Sequence, residues 1–187
     1  MKMTEMFIEE LKHEAVGTRK ALERVPEGRN DWKPHEKSMA LGYLASLVAA
    51  MPGWIDAMIR RDELDFAPVG ENHDKPKEWK TRAELLAQFD ENLAKAVAAL
   101  ESTTDEHLMT NWRLLAHGYE VSNLPRHWNI RTGVINHWAH HRGQLTVYLR
   151  LNEALVPALY GPSADDRFEA RRHARDLLIL RQGCGRG

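Results

Sequence analysis

Two histidines, His137 and His141, stand four residues apart in the run Asn136-His137-Trp138-Ala139-His140-His141-Arg142-Gly143-Gln144-Leu145. In a helix this spacing lays one imidazole above the other on a single face, and two neutral imidazoles so placed can share one metal ion. The spacing means little without its surroundings, because the chain has ten histidines and pairs four apart arise by chance. Counting turns from Val134 through His137 and His141 to Leu145 and Tyr148 sets both rings at the edge of an apolar stripe, where a helix ordinarily carries Leu or Val. An imidazole buried there needs partners for both ring nitrogens: protein groups, as in an ordinary core histidine, or an ion. His140 lies about 100° around the helix from His141, so it is better placed for a hydrogen bond at the rim than for the same ion. For the flanking residues the expected partners are a carboxylate on a neighbouring helix for Arg142 and a backbone carbonyl for Gln144, with support of the metal ligands or anchoring of a substrate as the alternative role for both. Gly143 weakens its helix by about 1 kcal/mol relative to Ala, so close approach of another backbone is the expected reason for it. No Asp or Glu is assigned as a general base by spacing, and the catalytic residues stay unread.

The elements that must position this pair follow from hydrophobic period. Met6, Phe7, Leu11, Ala15, Leu22 and Val25 recur at helical spacing until Pro26 and Gly28 stop them, which predicts a first helix. Leu41, Leu44, Leu47, Val48, Met51, Trp54, Ile55, Met58 and Ile59 predict a second, kinked at Pro52. A connector over 62–80 ends at Thr81-Arg82-Ala83-Glu84, a capping box that opens a third helix carrying Leu85, Phe89, Leu93, Val97 and Leu100. Residues 106–126 have no sustained period and read as an irregular crossover, with a short extended piece near 119–124. From Arg126 the pattern resumes at Ile130, Val134, Trp138, Leu145 and Leu149, predicting a fourth helix that ends before Pro157. The expected fold is all-α, a four-helix bundle with a long crossover between helices three and four, in which facing helices can build a site in the core.

Length and composition bound the function. The 187 residues suit one domain, expected over 1–166, followed by a basic tail over 167–187. With 26 basic and 27 acidic side chains the formal charge is −1, which leaves no whole-molecule field to gather nucleic acid or anionic lipid. The tail carries six arginines against Glu169 and Asp176, yet no aromatic platform or reading motif accompanies them, so no nucleic-acid partner is expected. The acidic start and the interrupted apolar run Met39 to Ile55 argue against an export signal or a bilayer span, and no membrane partner is expected. A lone cysteine, Cys184, has no internal disulfide partner and suits a reducing, cytoplasmic location.

Several separated blocks then carry a resemblance. Asp31-Trp32-Lys33-Pro34-His35 with Lys37-Ser38-Met39 and Leu41-Gly42, the histidine block with Tyr148-Leu149-Arg150-Leu151, and Tyr160-Gly161-Pro162-Ser163-Ala164-Asp165 resemble, in order, the DinB-like (YfiT-like) metalloenzyme family. The likeness spans about residues 5 to 166. It implies a bundle, often a homodimer, with a divalent ion, zinc or nickel, held by one histidine of the second helix and two of the fourth. It also implies, for some relatives, transfer or isomerisation reactions that use a small-molecule thiol such as bacillithiol, mycothiol or glutathione. His137 and His141 match the fourth-helix ligands, but Leu47 stands where the family pattern has the second-helix histidine. Leucine has no lone pair. Two functions remain open: a degenerate metal site, weak or empty, in a thiol-transferase-like protein, or a non-catalytic binding or dimerisation module that has lost its metal. His35, His117 and His127 are the candidate substitutes for the third ligand; on the second helix Ser46 is about 100° off the required face and the Met51 thioether suits soft ions better than zinc or nickel.

Overall fold

Helix α1, Met3–Leu22, runs from the start of the chain, and its first free N–H groups are met from a distance. The Asp105 carboxylate accepts from the backbone of Met3 and Thr4 at 2.9 and 3.0 Å. The computed structural model describes residues 2–69 and 78–166; part of the 62–80 connector and the whole 167–187 segment with Cys184 lie outside the described residues. Helix α2, Leu41–Ala50, passes through a 3-10 turn at Met51–Gly53 into α3, Trp54–Arg60, so the expected interruption falls at Pro52. A Cβ at Gly53 would stand 2.3 Å from Asn92 Oδ1, so any larger residue in this turn would force the Asn92 side chain aside. That helix is α4, Arg82–Glu101, opened by the expected capping box: Thr81 Oγ1 accepts from the Glu84 N–H at 3.3 Å, and the Glu84 carboxylate reaches back.

The helices close on one another. Helix α1 packs on α4, α4 on α2 and α3, α2 on α7 (His137–Leu151), and α7 on α1. Phe7, Leu11, Leu44, Leu85, Phe89, Trp138 and Leu145 are buried in their shared core. The α2–α3 run, Leu41–Arg60, is the one helical stretch among the described residues long and apolar enough to cross a membrane by length and composition. Within it, 61% of the most apolar window is buried inside the fold, as in a core helix. The sequence had suggested a shorter, interrupted apolar run; the 3-10 turn carries the helix through it.

The fold is predominantly helical but not all-α, which corrects the sequence expectation. Strands β1 (Glu63–Asp65), β2 (Asn111–Ala116) and β3 (Tyr119–Pro125) form one sheet in the order β1-β2-β3. β1 pairs parallel with β2 across a crossover through α4 and α5 (Asp105–Met109), and β2 and β3 make an antiparallel hairpin. His117 and Gly118 both have positive φ, 54° and 78°, the backbone of a hairpin turn that glycine favours. A register shift between Leu114 and Leu115 breaks the alternation, and three residues of β1 are too few to show any, so periodicity missed both strands. The sheet is tied to the helices by Arg126, whose buried guanidinium donates to the carbonyls of Met58, Arg61 and Asn111, to Thr110 Oγ1 and to the Asp62 carboxylate.

Candidate functional site

The last helical rod changes pitch before it reaches the histidines. A short α6, Arg126–Asn129, leads into a π-helical stretch, Ile130–Asn136, and His137 opens the regular helix α7. π turns insert extra residues per turn and often sit beside functional side chains. Their effect here is that α-helical counting holds from His137 onward but not back through Val134.

From His137 onward the expected stacking is present. The two rings lie 4.5 Å apart between centroids, and His137 Nε2 and His141 Nε2 are 2.8 Å apart. His141 is buried and His137 half-buried. His141 Nδ1 lies 2.8 Å from Gln144 Oε1; an amide oxygen only accepts, so Nδ1 donates to it, and the bare Nε2 of the neutral ring accepts from the Nε2–H of His137. Gln144 is the kind of outer partner that orients a metal-ligating histidine. Burial holds the His141 imidazole below its ordinary pKa, the Gln144 hydrogen bond opposes that, and His137 and His140 add to the lowering. A neutral His141 is therefore the resting form near neutral pH.

Gln144 thus differs from expectation: it holds the His141 ring rather than a backbone carbonyl. The i, i+3 spacing was the available signal. Gly143 also differs, since a Cβ there would meet nothing within 4 Å; it faces open space and makes no close backbone contact. Arg142 does what the sequence suggested. It donates to the Glu14 carbonyl at 2.9 Å, to Thr18 Oγ1 at 3.0 Å, and to the Glu14 carboxylate and the Tyr160 hydroxyl. Tyr160 in turn donates to Glu14 at 2.7 Å.

The second wall of the site comes from the α2–α3 rod. Trp138 Nε1 donates to the Val48 carbonyl at 2.8 Å, and Tyr148 Oη donates to the Met39 carbonyl at 3.1 Å. The two segments therefore run antiparallel, with residue 47 level with the turn between His137 and His141. Leu47 is 9% exposed, at the margin of the core. Trp54, one helix on, sets its ring 6.0 Å from that of His137.

None of the suggested substitute ligands joins the pair. Among the described residues no group of three His, Cys, Asp or Glu side chains is arranged to hold a metal ion. His35 is exposed before α2 and accepts from the Lys37 N–H at 3.2 Å, His117 sits in the hairpin turn, His127 is on α6, and Met51 is buried in the 3-10 turn. His140 is exposed, with its ring 5.0 Å from that of His141 and 6.4 Å from that of His137.

A mostly helical body with paired inward imidazoles on its last long helix defines a class. The DinB family model matches residues 1–172, and the chain belongs to the DinB family. A relative is 26% identical over 161 residues, covering 86% of this chain and 89% of its own length: the uncharacterized protein YrdA of Bacillus subtilis strain 168. Two solved structures share the fold. A DinB-like protein from Bacillus cereus ATCC 10987 has a TM-score of 0.64 at 23% identity, over 83% of this chain and 97% of that one. The DinB-like protein YjoA of Bacillus subtilis has a TM-score of 0.61 at 20% identity, over 87% of this chain and 99% of that one.

Proposed function

We propose that His137 and His141 hold a divalent ion, zinc or nickel, in a protein that acts on a small-molecule thiol by metal-assisted transfer. The observation that carries this reading is the convergence of two Nε2 atoms at 2.8 Å with His141 Nδ1 already engaged by Gln144. Tetrahedral ligands about 2.05 Å from an ion have their donor atoms about 3.3 Å apart, so to accept one the two nitrogens would give up the proton they share and separate by about half an ångström. Such an ion lowers the pKa of a thiol or water that reaches it. The chain's part is to keep His141 neutral by burial, fix its ring through Gln144 and close one side of the site with the Trp54 indole. We further read the helical body, residues 1–166, as a four-helix bundle that pairs as a homodimer in the cytoplasm.

The test is metal analysis of untagged protein with His137→Ala and His141→Ala. One equivalent of metal in the wild type, absent from both variants, supports the reading. A metal-free wild type that also fails to take up added zinc or nickel, with variants that are only less stable, overturns it. Leu47 favours that second reading, a binding or dimerisation module without metal chemistry, because a hydrocarbon side chain stands at the family's third-ligand position.

A further inference from the structure

We infer that two copies of this chain pair through the outward face of helix α7, built on Gly143, Val147 and Leu151, with the two helices antiparallel and related by a two-fold axis at Val147. The inference rests on the homodimer reading above and names the surface that makes the dimer. Helix α7 is apolar on both sides. Its inward side buries Trp138, Leu145 and Leu149 in the core. On the opposite side His140, Gly143, Val147, Arg150 and Leu151 are exposed, Val147 by 57% and Leu151 by 52%. A surface helix ordinarily carries polar and charged residues there. The one Arg or Lys on this side, Arg150, is already tied to Asp165 at 2.5 Å.

Gly143 is the second observation. A glycine inside a helix weakens it, and the usual return is close approach of another backbone, yet a Cβ at Gly143 would meet nothing among the described residues within 4 Å. A second copy supplies that neighbour. Positions 143, 147 and 151 follow one another at four-residue spacing and form one strip. A two-fold axis at Val147 sets residues equally far from 147 at the same level in the two helices. Val147 then meets Val147 of the partner subunit, and Leu151 of the partner subunit comes level with Gly143, where the missing side chain leaves room for it. Symmetry repeats the contact. Charge selects this arrangement over a parallel one, which would bring the two Arg150 side chains together and the two His140 side chains together. In the antiparallel pair Arg150 comes level with Gln144 of the partner subunit and His140 with Ala154 of the partner subunit, so no like charges meet and the helix dipoles oppose. One helix pair is a small interface, so the dimer is expected to dissociate in the micromolar range.

The experiment uses the full-length, untagged protein. Sedimentation equilibrium from low to high micromolar concentration should take the wild type from the 21.5 kDa monomer to the dimer. Gly143→Leu and Val147→Glu should weaken association at least about tenfold. Dilute Gly143→Leu should melt no lower than dilute wild type, because its new side chain enters open space in the monomer, and this separates loss of the interface from loss of the fold. In a Cys184→Ser background, Val147→Cys should oxidise to a disulfide-linked dimer, while Val16→Cys on the exposed side of α1 should not. Variants that stay dimeric, with no crosslink through Val147→Cys, overturn the inference and leave the homodimer reading standing. A wild type that is monomeric throughout overturns both.

Discussion

Helix α7 carries two buried polar side chains in succession, His141 and Arg142, that face different neighbours. Arg142, 2% exposed, turns toward α1, where Glu14, Thr18 and Tyr160 occupy both terminal nitrogens of its guanidinium. His141, 8% exposed, has both its partners on its own helix: one nitrogen is satisfied by Gln144 and the other by His137, whose ring lies 6.0 Å from that of Trp54 on α3. The first arrangement is a structural lock, since a buried cation survives only when paired and hydrogen-bonded. In the second, two imidazoles of one helix share a hydrogen bond that an ion would have to replace. One residue along the helix, about 100° of rotation, thus separates a guanidinium paired through both terminal nitrogens, with its buried Nε left unpartnered among the described residues, from a pair of imidazoles; α1 presents a carboxylate and a hydroxyl to the first, and α3 the Trp54 indole to the second.

The contrast breaks first at Arg142. Arg142→Met leaves the Glu14 carboxylate without its cation and should lower unfolding free energy by about 3–5 kcal/mol. Urea denaturation checks this, and a loss under about 1 kcal/mol would mean that the α1 side is no lock. On the imidazole side, Leu47→His should raise zinc affinity at least about tenfold, because the α2 register brings residue 47 level with the pair. A folded Leu47→His protein with unaltered affinity would remove residue 47 from the site. Gln144→Leu comes next: freeing the His141 ring should weaken metal binding by about 10- to 100-fold, with a stability change near 1 kcal/mol. If stability falls by several kcal/mol while binding is untouched, Gln144 belongs with the lock rather than the site.

The smallest effect is in pH. His141 has its imidazole pKa lowered in the folded state from an ordinary value of 6.5. Above 6.5 the ring is neutral in both folded and unfolded chains and contributes no pH dependence. As pH falls from there toward the lower folded value, the unfolded chain takes up a proton that the native chain refuses, so stability decreases. Denaturation midpoints of metal-free protein between neutral and mildly acidic pH should therefore drop more for the wild type than for His141→Gln. Identical slopes would mean that burial does not perturb this ring.

Interactions that close within a few residues were legible in the sequence. The spacing of His137 and His141, the Thr81 and Glu84 cap, the interruption at Pro52 and the limits of α4 all depend on contacts three or four positions apart, which the order of side chains specifies directly. Arg142 was also legible in kind, because a guanidinium on a packed helix face requires an anion, though not in the identity of Glu14.

Contacts across elements were decided only by the tertiary structure. The extended piece expected near 119–124 is β3, but β1 and β2 went unread because β1 is short, β2 loses its alternation at a register shift, and the β1–β2 pairing joins segments far apart in the chain. The π stretch before His137 is invisible to an α-helical count, yet it sets the direction in which the histidines project. Gly143, expected to admit a neighbouring backbone, has nothing among the described residues within 4 Å of where a Cβ would stand. That Leu47 stands level with the two imidazoles follows from the Trp138 and Tyr148 hydrogen bonds to the α2 side. Helical periodicity tells which residues share a face; the sliding of one rod against another, fixed by core packing and a few buried hydrogen bonds, determines what that face meets.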